Sequence, residues 1–267
     1  MYPFAYQRVS SAQEATAACQ GEARYLAGGQ SLVQAMKLRL SAPERLIDLG
    51  AIEGLQGVRD EGDTLVIAAM TCHAEVAASP LVQDALPALA ELAAGIGDPM
   101  VRQMGTLGGS LANADPAACY PSAVLALNAQ IQTDRRTVEA SSFFTGLYQT
   151  ALEPGELVMA VRFPKVRKAA YAKLKQPASR FALVGVFVAQ TAQGVRVAVT
   201  GAKASVFREP TLEAALSREF SAAAAKAVQL SPDGYAQDLH ASSAYRAAMV
   251  SVMAAKAVAV AQARSDS

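Results

Sequence analysis

Residues 107–121 read LGGSLANADPAACYP, and residues 26–32, LAGGQSL, carry a second glycine pair about eighty positions earlier. Glycine has no Cβ, so the backbone there can take positive φ and approach a ligand closely. Successive N–H groups can then converge into a concavity that holds an anion. In LAGGQSL the pair ends a short apolar strand, ARYLAGG. It precedes a helical spacing at Leu32, Val33, Met36 and Leu40, with Ser31 as N-cap. A helix starting there adds its positive end. In GTLGGS, Thr106, Gly108, Gly109 and Ser110 offer the same chemistry. One such loop suits one phosphate, and two converging loops suit a pyrophosphate, the centre of a dinucleotide. Each pair alone reads first as a turn. Neither is a GxGxxG fingerprint or a Walker loop, so residue chemistry by itself reaches an anion cradle and stops.

The bulk numbers set the frame. The chain has 267 residues, 52% of them hydrophobic, 18% charged, with a net charge of +1. No basic block tracks a phosphate backbone, which argues against nucleic acid. No uncharged apolar run reaches about 18 residues, so no membrane span is expected. The N-terminus, MYPFAYQRVSSAQEA, lacks a basic start followed by an apolar core, so it is not read as a signal peptide. Cys19, Cys72 and Cys119 are far apart and form neither a disulfide framework nor a CxxC pair. A reducing cytoplasm is the simplest compartment.

Along the chain, RLIDLG reads as a strand that completes a first unit of about residues 1–53. A second unit, about 54–164, holds strands at TLVIAAM, AQIQT and LVMAVRFP. It also holds a helical stretch, SPLVQDALPALAELAAGIG, with Ser79 as cap, Pro80 in the first turn and Pro87 dividing it. Near residues 163–166 the composition changes, and a domain boundary is expected there. VRKAAYAKLK, with Arg167, Lys168, Lys173 and Lys175, reads as a solvated face or linker. FALVGVFVAQ and VRVAVTGA, joined by TAQG, read as a hairpin. Residues 211–263 are alanine-rich and helical in pattern.

Two long stretches carry a resemblance: LAGGQSLVQAMKLRLSAPERLIDL, and IGDPMVRQMGTLGGSLANADPAACYPSAVLALNA. Both resemble the FAD-binding medium subunit of molybdenum hydroxylases, the xanthine dehydrogenase and carbon monoxide dehydrogenase family. The later TGAKASVFREPTLEAAL and SSAYRAAMVSVMAAKAV are similar to that family's C-terminal domain. The resemblance implies an α+β fold with a two-subdomain FAD-binding region of the PCMH (vanillyl-alcohol-oxidase-like) type over residues 1–164. A C-terminal domain of antiparallel strands and a helical bundle, residues 165–267, follows. It implies that Ala27, Gly28, Gly29, Gln30, Ser31 and Leu32 hold one side of the pyrophosphate. Thr106, Gly108, Gly109 and Ser110 then hold the other. Asn113 faces the cofactor and Val158 lies against the flavin nucleotide. Lys175, or failing that Lys173, matches a lysine near the isoalloxazine, where a cation favours the electron-rich reduced ring.

The chain departs from the family pattern at three places. Cys119 stands where an aspartate often contacts ribityl or ribose hydroxyls, and a thiol is a poor acceptor; free cysteine is also commonly a small buried hydrophobe. Phe181 stands where carbon monoxide dehydrogenase-like members carry a tyrosine. Gln103-Met104 replaces the commoner Asn-Arg. Elsewhere, Asp98 and Arg102 are a candidate ion pair. Asp115-Pro116 reads as an N-cap and first-turn proline. His73 reads as structural or exposed, His240 is given no role, and Met100 and Met104 read as packing residues.

The implied function is electron transfer by non-covalently held FAD. A molybdenum–pterin centre belongs to a large partner subunit and a [2Fe–2S] centre to a small one, in a heterotrimer or a dimer of heterotrimers. Electrons leave to an external acceptor: NAD⁺, a quinone, a carrier or O₂. Three cysteines cannot supply the four thiolates such a cluster needs. Two other readings are a stand-alone FAD-dependent oxidoreductase and a flavin-free assembly subunit.

Overall fold

The computed structural model describes residues 1–264; the last three residues of the expected C-terminal domain lie outside them. The chain opens with a parallel three-stranded sheet in the order Ala5–Arg8, Arg45–Asp48, Ala23–Leu26. Parallel neighbours need crossovers, and the short helices Ala12–Ala18 and Leu32–Lys37 lie in the connections. Ser11 caps the first of these by accepting from Glu14 N.

An antiparallel five-stranded sheet follows, in the order Val58–Glu61, Thr64–Ala68, Val158–Pro164, Gln130–Thr133, Thr137–Glu139. Its strand Val158–Pro164 comes last in sequence yet takes the centre, and the chain between Thr64–Ala68 and it supplies seven helices as well as the two strands Gln130–Thr133 and Thr137–Glu139 on the far side. Those intervening helices cover the sheet. Pro87 divides the helical stretch as its missing N–H requires: one helix runs Pro80–Ala85, the next Pro87–Ala94. Ser79 sits at the N-cap position but makes no side-chain capping bond.

The third sheet is antiparallel and four-stranded, in the order Ala169–Lys175, Ala182–Thr191, Gly194–Thr200, Phe207–Arg208. The expected hairpin is its centre. The cationic run read as linker or solvated face is instead its first strand. Ala169 and Ala170 are fully buried, and burial of the apolar positions overrides the charge pattern. The sheet has two apolar faces. Phe187, Ala189 and Ala198 join the core of the N-terminal region, whereas Val186, Val188, Val197 and Val199 pack with the C-terminal helices.

The alanine-rich stretch is three helices, Pro210–Arg218, Ala222–Ala227 and Ser243–Ala263, with an irregular connection before the last. Among the described residues, Ser243–Ala263 is long and apolar enough to cross a membrane by length and composition. It lies along the sheet with Val250, Met253, Ala254, Ala257 and Val258 buried.

Candidate functional site

The two glycine stretches meet. The loop after the strand Ala23–Leu26 runs against the turn that joins helices Pro99–Met104 and Leu107–Asn113. A Cβ on Gly28 would stand 1.9 Å from the Met104 carbonyl oxygen and 2.8 Å from Gly105 Cα. A Cβ on Gly109 would stand 3.4 Å from the Ala27 Cβ. Gly108 packs as tightly on the central sheet, where its Cβ would lie 2.5 Å from that of Ala69. Three of the four glycines thus serve close approach of protein to protein. Gly29 alone needs glycine's conformational freedom, at φ +70°.

The backbone amides divide the work unequally. In the second stretch they are already committed. Leu107 N donates to Thr71 O, Gly108 N to Ala69 O and Ser110 N to Thr106 O. Gly109 N donates to Thr106 Oγ1, so Thr106 is the N-cap of Leu107–Asn113. In the first stretch the N–H groups of Gly28, Gly29, Gln30 and Ser31 have no acceptor among the described residues. Gln30 folds its amide back onto Gly28 O at 3.2 Å, and Ser31 occupies the N-cap without a side-chain bond. The helix that follows, Leu32–Lys37, is too short for the expected dipole argument. It also ends before Leu40, which is exposed. Four consecutive loop amides thus lie unpaired along the concavity, and Ser110 and Asn113, whose side chains have no partner among the described residues, line the same space.

That space is a cavity of about 460 Å³. All the anticipated residues line it except Lys175: Ala27 to Leu32, Thr106, Gly108 to Ser110, Asn113, Cys119, Val158 and Lys173. Lys173 and Lys175 are two apart and share a face in a regular strand. The register shifts between Leu174 and Lys175, where Leu183 of the partner strand is left over, and Lys175 at the strand's end is exposed and outside the cavity lining. Phe181, 47% exposed, also lines it.

Several site residues escaped sequence reasoning. Tyr25 lines the cavity and donates to Gly155 O at 2.8 Å. Its place on the strand before the glycine pair is the one signal that could have found it. Arg180 gave no signal, because its position depends on a loop. His73 lines the cavity from the start of helix His73–Ala78, where its N–H bonds Gly105 O at 2.9 Å. Burial, with a smaller contribution from Arg102, lowers its pKa to about 4, so the imidazole is neutral. Its ring lies 5.3 Å from that of buried Tyr120.

Glu156 also borders the cavity. Arg136 grips it at 2.9 Å through both Nε and Nη2, Thr133 Oγ1 donates at 2.8 Å, and Glu153 N at 2.7 Å. The arginine bonds hold its carboxyl down at about 2, against the opposing effect of burial.

Three smaller expectations are corrected. Asp98 and Arg102 do not pair. Asp98 caps Pro99–Met104 through Val101 N, and Arg102 braces the Ile96 and Gly97 carbonyls. Asp115 caps no helix; Oδ1 accepts from Ala117 N across an Asx turn. Met100 and Met104 do not pack, being 77% and 55% exposed on a helix with no buried residue.

Residues 2–166 match the family described as the FAD binding domain in molybdopterin dehydrogenase. The chain belongs to this family. Over 262 residues it is 38% identical to the carbon monoxide dehydrogenase medium chain of Hydrogenophaga pseudoflava, covering 91% of this chain and 90% of that one. It is 35% identical to the nicotine 6-hydroxylase medium subunit of Paenarthrobacter nicotinovorans, over 91% of each. A solved carbon monoxide dehydrogenase from H. pseudoflava, which lacks the Mo-pyranopterin moiety of its molybdenum cofactor, superposes with a TM-score of 0.88 at 37% identity, over 99% of both chains. An FAD-binding family member is thus what the two glycine stretches build. A dinucleotide places a doubly charged diphosphate near the middle of its length, and four unpaired loop amides are a fitting partner for it.

Proposed function

We propose that this chain is the FAD-binding, electron-transfer subunit of a molybdenum-containing hydroxylase or dehydrogenase. The amides of Gly28, Gly29, Gln30 and Ser31 hold the diphosphate, and the side chains of Ser110 and Asn113 complete the cradle from the opposite wall. Ala27, Leu32, Thr106, Gly108 and Gly109 shape it. Val158 and Cys119 lie along the rest of the nucleotide, and Lys173 stands toward the flavin end. FAD supplies one- and two-electron carrier chemistry when bound, and the chain's own residues bind it, orient it and exclude water. The binding is non-covalent.

In this reading electrons enter from a small [2Fe–2S] subunit, which takes them from a large molybdenum-cofactor subunit, and leave to an external acceptor. The assembly is a cytoplasmic heterotrimer or a dimer of heterotrimers. Residues 1–164 form the FAD-binding domain, in subdomains of about 1–53 and 54–164, and residues 165–267 the C-terminal domain. Two relatives named as medium chain or medium subunit support the division of labour.

The row of unpaired amides in residues 28–31 is the observation that carries the proposal. Expression with the neighbouring reading frames and tagged purification of this chain tests it. The expected result is a flavin band near 450 nm together with co-purifying large and [2Fe–2S] subunits. A colourless chain after FAD addition would overturn the flavin reading. A yellow chain that purifies alone would overturn the subunit reading.

A further inference from the structure

Residues 176–181 close the hairpin between strands Ala169–Lys175 and Ala182–Thr191, and Ser179, Arg180 and Phe181 of this loop line the cavity. The loop is tied within itself: Gln176 Oε1 accepts from Ser179 N, and Gln176 N donates to Phe181 O. Its ties to the rest of the protein are few. Lys173 Nζ donates to Arg180 O at 3.1 Å, and Arg180 Nη1 reaches Gly97 O at 3.5 Å. Arg180 sits at φ +60°, a left-handed conformation that a non-glycine residue keeps only where its surroundings impose it.

Lys173 makes two further bonds, to Gly95 O at 2.9 Å and to Cys119 Sγ at 3.3 Å. An ammonium has three N–H donors. All three are therefore taken by three separate parts of the chain: the end of helix Pro87–Ala94, the turn before helix Tyr120–Ala126, and the hairpin loop. None is left for a flavin atom.

We infer that Lys173 is a positioning residue that clamps the loop 176–181, with Phe181 at its end, over the flavin end of the cavity. This rests on the reading of the cavity as the FAD site. The clamp sets how readily solutes reach the ring, and Cys119 takes part as an acceptor that anchors the ammonium.

The test compares the full chain with K173M, K173R and K175M. One arm, run without added FAD, follows chymotryptic cleavage after Phe181. The other follows iodide quenching of flavin fluorescence in the FAD-loaded chain. K173M is expected to raise cleavage at least tenfold and to increase quenching. K173R, which keeps the cation, should fall back towards wild type, and K175M should match wild type in both arms. Cleavage and quenching unchanged in folded K173M, or raised equally by K175M, would overturn the clamp. If K173M does not fold, K173Q takes its place with the same two outcomes. A chain that takes up no FAD refutes the cavity reading, while the cleavage arm still decides the clamp.

Discussion

Replacing Gly28 by alanine forces the two glycine stretches apart. The new Cβ would stand 1.9 Å from Met104 O and 2.6 Å from its carbonyl carbon. A carbon–oxygen contact settles at roughly 3.3 Å, so the loops must separate by about 1.4 Å. Both contacting atoms are backbone, and no side chain can swing away. Overpacking of this kind costs about 1–3 kcal/mol. Part of that falls on folding and part on the spacing between the 28–31 amides and the side chains of Ser110 and Asn113. A loss of one to two kcal/mol in binding is roughly a 5- to 30-fold weaker Kd. Titration calorimetry of the apo chain with FAD reads the affinity, and thermal melting of the apo chain separates it from stability. Gly95→Ala is the control. Its Cβ would sit 3.4 Å from two carbonyl oxygens, an ordinary contact, at φ −83°. Wild-type FAD affinity in a folded G28A chain would refute the argument that the contact of the two loops sets the cradle.

Three further outcomes follow from the site. Ser110→Ala and Asn113→Ala should each weaken FAD binding by about 3- to 10-fold, near 1 kcal/mol for a lost hydrogen bond, with the melting temperature little changed; calorimetry checks both. Glu156 has a lowered pKa, from 4.5 to about 2, so its stabilisation is complete above pH 4.5 and is lost as pH falls from there towards 2. Half-exposed Arg136 screens the pair, which leaves on the order of 2 kcal/mol; Glu156→Gln should flatten the melting profile across that window, measured between pH 2.5 and 6. The pKa of His73 is also lowered, from 6.5 to about 4, so wild type should lose stability as pH falls from 6.5 towards 4. The loss approaches about 3 kcal/mol, and His73→Asn should show less of it in urea titrations at pH 7 and pH 4.5.

What the sequence disclosed follows physical lines. The strand before the first glycine pair is where the apolar pattern puts it, whereas the second pair, which reads as a loop, lies in the first turn of helix Leu107–Asn113. Pro87 divided its helix because a missing N–H is a local fact. The sequence leads to two glycine stretches on either side of a pyrophosphate, but the direct packing of Gly28 on Met104 and Gly105 is visible only in the structure. Which residues supply amides was not legible, because it depends on acceptors elsewhere: Thr71 O and Ala69 O occupy the donors of Leu107 and Gly108. The resemblance puts Lys175 ahead of Lys173, but the structure lines the cavity with Lys173, and Lys175 ends its strand in solvent. The run of cations concealed a strand whose buried positions are alanines, small residues with little strand signal of their own. Met100 and Met104 read as packing residues, yet their helix has no buried residue.

Amide hydrogen exchange resolved to single residues, with and without FAD, reaches the central claim most directly. The account predicts that the amides of residues 28–31 exchange quickly in the apo chain and slow sharply on loading. Those of residues 107–110, already bonded within the protein, should change little. Unaltered exchange at 28–31 in a chain carrying FAD would contradict it.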